Sequence, residues 1–260
     1  MNTTYALITG ASFGIGKEIA KVMAAHKHNL ILTARSEAPL HALAKELEEQ
    51  YHISTHIIVC DLCVPEAAYQ LCKEIENLDC SIDILVNNAG FGVYGEFIDS
   101  DLSKQENLIQ LNCIALMQLC KLLSNQLKAN KGKILNIASV AAFYSGPLMA
   151  VYYASKAFVL SFSEALAFEL APLGITVTAH CPGPTKSNFQ QSAGMHKSRL
   201  FSTMPVPESY PVALHAYTAM MKGKTIAIHG LGNRIMLILS SFVPRFLKVK
   251  AVYAFQSSKA

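Results

Sequence analysis

Short apolar runs alternate along the chain with longer stretches whose apolar residues recur every three or four positions. The short runs are rich in strand formers and are predicted to be strands at residues 5–9, 29–33, 56–60, 83–86, 133–137, 175–180 and 225–228. The stretches between them are predicted to be helices. Nearly continuous apolar strands separated by helices are typical of a parallel sheet covered on both faces. The pattern therefore predicts an α/β fold with a doubly wound parallel sheet of about seven strands.

Two of the predicted helices carry further detail. Ser36 is a suitable N-cap for a helix that reaches about residue 50. A longer helix is expected over residues 103–129, and its apolar residues spread over more than one face, as in helices buried in a core or an oligomer interface. Asn112 lies in the middle of it, although asparagine is a poor helix former. Its amide is therefore either functional or a buried group whose hydrogen bonds are satisfied.

The composition indicates one large core. Hydrophobic residues make up 52% and charged residues 15% of the 260 positions, a balance that excludes a disordered chain. No linker, repeat or low-complexity tract interrupts residues 1–260, which predicts a single domain. The net charge of +4 is mild, and the only basic scatter lies late in the chain. This distribution argues against nucleic acid as a partner.

The cysteines and the N-terminal residues indicate in which cellular compartment the protein is expected. The chain enters its first strand without a segment resembling a secretory signal, and no apolar run reaches the ~18 residues of a membrane-spanning helix. The seven cysteines are therefore expected to be reduced thiols in a cytoplasmic protein. Cys60 and Cys63 have the spacing of a redox or metal motif, but no second pair completes a zinc site. No metal is expected.

A glycine-rich turn follows the first predicted strand directly. Gly10, Gly14 and Gly16 lie between that strand and a helix. Glycines in this context let the backbone approach a pyrophosphate, which the free amides of the helix N-terminus then bind. The spacing matches neither the phosphate loop G-x-x-x-x-G-K-[ST] nor the dinucleotide motif G-x-G-x-x-G. The indication of phosphate binding therefore depends on the position of the turn after the first strand.

The end of the second strand indicates which cofactor such a turn would hold. Arg35 stands there, with no acidic residue before Glu37. An acid at this place binds the ribose 2′-hydroxyl of NAD, whereas an arginine accommodates the 2′-phosphate of NADP. NADP(H) is therefore preferred over NAD(H), and a solvated arginine at a strand end is the alternative.

Tyr152 and Lys156 form a candidate catalytic pair. They lie four positions apart in a predicted helix and so share one face. A nearby cation favours the phenolate and lowers the pKa of a tyrosine, which suits it for acid–base catalysis near neutral pH. Tyr153 points about 100° away and is predicted to pack or to line a pocket. Because Tyr-x-x-x-Lys also occurs by chance in many helices, the pair alone does not decide the function.

The motifs fall in the order found in one known family. They are Thr9-Gly10-Ala11-Ser12-Phe13-Gly14-Ile15-Gly16, Asp61-Leu62, Asn87-Asn88-Ala89-Gly90, Asn112, Ser139, Tyr152 with Lys156, and Pro182-Gly183-Pro184-Thr185. Over residues 4–186 the chain resembles the short-chain dehydrogenases/reductases, in the single-domain, NADP-preferring branch. The resemblance implies a Rossmann-type fold. It also implies an NAD(P)-dependent oxidoreductase that reduces a carbonyl to an alcohol or catalyses the reverse reaction.

The resemblance implies roles for individual residues. Tyr152 would donate a proton to the carbonyl oxygen, and Lys156 would hold the nicotinamide ribose and keep the pKa of the tyrosine low. Ser139 would hydrogen-bond the substrate oxygen, and Asn112 would hold a water that links the lysine to solvent. Cofactor contacts are implied for Gly10, Ser12, Phe13, Gly14, Ile15, Gly16, Arg35, Asp61, Leu62, Asn88, Ala89, Gly90, Tyr152, Lys156, Pro182, Gly183 and Thr185.

Two functional alternatives stay open. One is a dehydratase or epimerase that uses the same cofactor, and the other is a non-catalytic NADP-binding regulatory protein. The expected ligand is a small carbonyl or alcohol compound of apolar character, and a homodimer or homotetramer is expected.

The last part of the chain is predicted to govern the substrate. Residues 186–222 are expected to form a substrate lid with helices, in which Phe189 and Met204 suggest an apolar ligand. Residues 229–260 form an apolar tail with basic edges. We expect this tail to pack over the substrate cleft or against a partner subunit, with association to a membrane surface as the less favoured alternative.

Overall fold

The computed structural model describes residues 3–186 and 206–257 and contains a seven-stranded sheet. The strands are β1 Thr4–Thr9, β2 Asn29–Ala34, β3 Thr55–Val59, β4 Ser81–Asn87, β5 Lys133–Ile137, β6 Thr176–Cys181 and β7 Ile226–Ile228. All neighbours pair in parallel, in the order β3-β2-β1-β4-β5-β6-β7. The predicted doubly wound parallel sheet is confirmed, with strand bounds that differ by one or two residues.

Helices cover both faces of this sheet. They are α1 Gly14–Ala25, α2 Glu37–Tyr51, α3 Ala67–Glu76, α4 Leu102–Ile109, α5 Leu116–Leu122, α6 Ser124–Ala129, α7 Ala150–Leu170, α8 Ser209–Met221, α9 Leu231–Ser241 and α10 Arg245–Gln256. Helices α1, α2 and α8 pack on one face, where Ile19 and Met23 are fully buried. Helices α3, α5 and α7 pack on the other face around Leu119 and Val159. Each face therefore has its own apolar core.

The long helix predicted over residues 103–129 is interrupted twice, which corrects that expectation. A six-residue π-helical turn, Gln110–Ala115, separates α4 from α5, and Leu123 separates α5 from α6. A π turn holds one more residue than an α turn and often occurs at functional sites. Asn112 lies within this turn, close to the candidate site.

The start of α2 also differs in one respect from the expectation. Ser36 precedes the helix in extended conformation, but its side chain makes no capping hydrogen bond. The residue instead lines the cavity described below.

The sheet topology determines where a ligand can bind. The strand order reverses between β1 and β4, so the connections that leave their carboxyl ends diverge and open a crevice. No helix in the described ranges is long and apolar enough to cross a membrane.

Candidate active site

A cavity of about 840 Å³ lies at the carboxyl ends of the strands. Residues that follow β1 to β6 form its floor and walls, and residues of α9 and α10 form its roof. Such a volume lies in the range of cavities that bind cofactors and small molecules.

The glycine turn presents backbone donors to this cavity. Gly10 and Gly14 have φ angles of +65° and +57°, which glycine adopts without strain. Helix α1 begins after Phe13 without a side-chain cap, so its first amides point out of the helix end unbonded by any capping side chain. Ser12 and Ile15 line the cavity beside them. This end of the cavity fits a pyrophosphate.

Gly16 lies behind the turn and does not line the cavity. A Cβ on Gly16 would lie 2.3 Å from both the carbonyl oxygen of Gly10 and Nδ2 of Asn88. The glycine therefore serves the close packing of α1 on the turn. Asn88 joins the same group, because its Nδ2 donates to the carbonyl oxygens of Thr9 at 2.9 Å and Gly10 at 3.1 Å.

The side chains after β2 and β3 lie at the other end of the cavity. Arg35, Asp61 and Leu62 all line it. The Arg35 Nη1 atom is 4.0 Å from Asp61 Oδ2, and the Arg35 side chain is 69% exposed. An exposed ion pair at this separation contributes little stability, so an incoming phosphate can replace the carboxylate. This end fits the 2′-phosphate of NADP.

Tyr152, Ser139 and Lys156 meet in the middle of the cavity. The Ser139 hydroxyl hydrogen-bonds the phenol of Tyr152. The Lys156 Nζ atom donates to the carbonyl oxygen of Ile137 at 2.7 Å and lies 5.9 Å from the centre of the Tyr152 ring. Ser139 follows β5 by two residues and the other two lie on α7, so the sheet and the helix together bring the three side chains into one place.

Burial controls the protonation of this group. It raises the pKa of Tyr152, and the hydrogen bond from Ser139 opposes that rise. It lowers the pKa of Lys156 to about 8. Burial thus dominates the pKa of Tyr152 in this structure, and the expectation that Lys156 keeps that pKa low stays a prediction.

Asn112 lies beneath the floor, is 1% exposed and does not line the cavity. Its Nδ2 donates to the carbonyl oxygen of Phe91 and to Ser155 Oγ, both at 3.0 Å, and its Oδ1 accepts from the Phe91 amide at 3.2 Å. The side chain is therefore a buried amide whose hydrogen bonds are satisfied, and the role of Asn112 in holding a water stays a prediction. Gly90 separates it from the cavity, since a Cβ there would lie 3.0 Å from Asn112 Oδ1.

The segment after β6 closes the side of the cavity. Pro182, Gly183 and Thr185 line it, as do Ala89 and Gly90 after β4. A Cβ on Gly183 would lie 2.6 Å from Nδ2 of Asn233 on α9, so the roof approaches this segment closely.

Hydrogen bonds hold the roof over the cavity. Tyr144 Oη and Ser240 Oγ are 3.0 Å apart. Tyr94 Oη donates to the backbone carbonyl of Gln256 at 2.6 Å, and the side-chain amide of Gln256 donates to the hydroxyl of Tyr153. The inner surface is largely apolar and includes Met236, Val243, Ala251, Val252 and Phe255.

Comparison with known proteins identifies the family. A family model described as short chain dehydrogenase matches residues 4–198. The chain belongs to the short-chain dehydrogenase family.

Named relatives of this short-chain dehydrogenase are longer proteins. A very-long-chain 3-oxoacyl-CoA reductase from Phaeosphaeria nodorum is 38% identical over 67% of this chain and 52% of its own length. The dehydrogenase/reductase SDR family member 7B from Xenopus laevis is 36% identical over 72% of this chain and 60% of its own. The chain thus spans about half to two thirds of these curated relatives.

Solved structures match over nearly the whole chain. A short-chain dehydrogenase from Sphingobium yanoikuyae in complex with NADPH is 32% identical, with a TM-score of 0.81 and 92% coverage of both chains. A bulky-bulky ketone specific alcohol dehydrogenase from Comamonas testosteroni is 29% identical, with a TM-score of 0.76, and covers 94% of this chain and 96% of its own.

Most of the predicted lid lies outside the described residues. Residues 187–205, among them Phe189 and Met204, are not in the described part of the chain. The described remainder includes α8, which packs in the core beside α1 and does not line the cavity. Among the described residues, those of the predicted tail form the roof.

The sequence predicted a tail over the cleft but did not identify the individual side chains that line the cavity there and on the wall below. Tyr144, Met149 and Gln256 line the cavity without belonging to a motif. A usable signal for the roof was the helical spacing of Met236 on α9 and Val243 just after it.

Cys60 lines the cavity, but neither it nor Cys63 is suited to act as a thiolate. Burial is the main reason that the pKa values of Cys60 and Cys63 rise to about 11, so both thiols stay protonated at neutral pH. In the described ranges no group of three or more His, Cys, Asp or Glu side chains is arranged to hold a metal.

Proposed function

We propose that this protein is an NADP(H)-dependent oxidoreductase that interconverts an apolar ketone and its secondary alcohol. The observation that carries the proposal is the meeting of Tyr152, Ser139 and Lys156 in the cavity that also contains the glycine turn. The chain covers only part of its longer relatives, so the activity is proposed from this site and not transferred from their names.

Each of the central residues of the cavity has its own role in the proposed reaction. The nicotinamide of a bound cofactor supplies or accepts the hydride. The hydroxyl of Ser139 orients the substrate oxygen, and Tyr152 Oη gives it a proton or takes one back. Because burial makes the phenol a weak acid, reduction starts from the neutral phenol. Lys156 carries a positive charge at neutral pH and would hold the ribose hydroxyls of a bound cofactor.

Two further observations support the cofactor and the substrate class. Arg35 lies at the cavity end that suits a 2′-phosphate, and the related Sphingobium enzyme is described in complex with NADPH. The roof is apolar, and the related Comamonas enzyme is specific for bulky-bulky ketones. An apolar ketone thus matches the lining without an unpaired buried charge.

A ketone panel with NADPH tests the proposal. We expect NADPH oxidation with long-chain or bulky ketones, and Tyr152→Phe is expected to lower kcat by about 10²–10⁴-fold while NADPH still binds. Tyr153→Phe is the matched control for kcat, because it removes the neighbouring hydroxyl, keeps the ring and should leave kcat nearly unchanged.

Two outcomes would count against this function. Tight NADPH binding without turnover of any ketone would favour the dehydratase, epimerase or regulatory alternatives. Full activity of Tyr152→Phe would exclude the tyrosine as the acid.

We also propose that the protein works as a homodimer or homotetramer in the cytoplasm. Leu102, Met117 and Phe168 leave apolar surface exposed on α4, α5 and α7, on the side of the sheet away from α1. Light scattering with Phe168→Ser tests this, and a lower mass for the variant is expected.

A further inference from the structure

Helix α9 and the two residues that follow it, 231–243, have two apolar stripes that face in different directions. One stripe, with Met236, Ser240 and Val243 in helical spacing, lines the cavity. The other is exposed and consists of Ile235, Ile238, Leu239 and Phe242. A helix that only closes a cavity needs the first stripe alone. The second stripe therefore calls for a separate explanation.

Helix α10 extends the same exposed surface. Phe246 and Tyr253 point away from the cavity lining and are 62% and 47% exposed, while Phe242 beside them is 83% exposed. We call the outward side chains of α9 and α10 the tail surface. Contiguous exposed apolar side chains of this kind mark interaction sites.

The charged side chains that α9 and α10 themselves carry are all of one sign. Arg234, Arg245 and Lys250 are exposed along the two helices. No Asp or Glu follows Glu208 in the sequence, so no acid of this segment neutralises them. Helices with an apolar face edged by basic residues bind at anionic lipid surfaces.

The same charges argue against a second copy as the occupant. In a two-fold symmetric pair the tail surface would pack on the same surface of the other copy, so the basic groups of both copies would share one interface to which these helices bring no acid. Like charges facing each other across an interface are unfavourable.

We propose that the tail surface docks this protein onto an anionic lipid bilayer, with α9 and α10 lying flat at the headgroup level. Ile238, Leu239 and Phe242 enter the interface, and Arg245 and Lys250 contact the phosphates. The docked face is the outer side of the cavity roof. The inference concerns binding only, so it does not depend on the proposed function.

Vesicle sedimentation of the full chain tests the proposal. We expect binding to vesicles of phosphatidylcholine with about one third phosphatidylglycerol, weaker binding to pure phosphatidylcholine, and a loss of binding as salt rises from about 0.1 to 0.5 M. The triple variant Ile238→Ser, Leu239→Ser, Phe242→Ser and the double variant Arg245→Glu, Lys250→Glu are each expected to lower the partition constant at least about tenfold.

A matched variant on another face keeps the test specific. Val64 and Tyr69 are about as exposed as the milder tail positions, and Val64→Ser with Tyr69→Ser is expected to bind vesicles as the wild type does. Unchanged Tm values would show that all variants are folded. Absence of vesicle binding, binding that the tail variants leave intact, or tail-dependent self-association without vesicle binding would each overturn the proposal.

Discussion

The side-chain amide of Gln256 donates a hydrogen bond to the hydroxyl of Tyr153, the residue next to Tyr152. Gln256 ends α10 and is 1% exposed, while Tyr153 lies on α7, 103 positions earlier in the chain. This bond connects the roof of the cavity directly to the helix that carries the candidate catalytic tyrosine.

Removing this bond should weaken substrate binding more than chemistry. Gln256→Ala is expected to raise KM for a bulky ketone about tenfold with a small change in kcat, because the roof then closes less often over the ligand. Tyr153→Phe removes the same bond from its other end, so the double variant should be no worse than either single one. Steady-state kinetics check this, and additive effects would show that the bond does not hold the roof.

Arg35 should determine the choice between the two nicotinamide cofactors. Arg35→Ala is expected to weaken NADPH binding about 10–100-fold and to leave NADH binding nearly unchanged, since only NADPH carries the 2′-phosphate. Fluorescence titration measures both affinities. Lys45→Ala, which removes a positive charge from α2 away from the cavity lining, serves as the control. Equal losses for both cofactors in Arg35→Ala would contradict the assignment.

Gly16 should tolerate no side chain. A Cβ there would lie 2.3 Å from backbone and from Asn88, so Gly16→Ala is expected to lower the free energy of unfolding by about 1–3 kcal/mol. Gly232 on α9 has nothing within 4 Å of an added Cβ, and Gly232→Ala should be neutral or stabilising by up to about 1 kcal/mol. Urea unfolding measures the free energy of unfolding of both variants. Equal changes in the two would contradict the close approach of Gly16 to Gly10 and Asn88.

His180 should make the fold sensitive to acid. Burial lowers its pKa to about 3, with smaller contributions from His215 and His229, so the folded state holds the neutral ring. The neutral ring of His180 stabilises the folded state at pH values above the unfolded pKa of about 6.5. This stabilisation is lost as the pH falls toward the folded pKa of about 3. We expect a loss of about 2 kcal/mol between pH 7 and pH 5 from this residue alone.

Urea unfolding at several pH values measures the slope of the free energy of unfolding against pH. His180→Gln should flatten it, while His52→Asn, which replaces an exposed histidine after α2, should keep it. A slope unchanged in His180→Gln would exclude His180 as its source.

The sheet and the floor of the cavity follow from local patterns in the sequence. The strands were predictable because each is a short apolar run with a glycine or polar residue at its end. Parallel strands gather those ends at one edge, so Gly10, Arg35, Asp61 and Ser139 meet although they are far apart in the chain.

The features that the sequence did not reveal depend on contacts or on a single added residue. The π turn around Asn112 holds one extra residue, which the spacing of the apolar residues does not show. The pattern therefore predicts one unbroken helix. The pKa of Tyr152 depends on how completely the cavity excludes water, which no spacing encodes. Gln256 belongs to no motif, and its place beside Tyr153 results from the packing of α10.

The roof is built outside both apolar cores, neither of which contains a residue beyond Ile228 in the part of the chain that the structure describes. Substitutions on the inner stripes of α9 and α10 can therefore reshape the cavity while the free energy that holds the sheet together stays nearly constant. The floor, in contrast, consists of residues at the ends of strands whose side chains form part of both cores. A protein arranged in this way can acquire new substrates through its last two helices and keep one unaltered reaction.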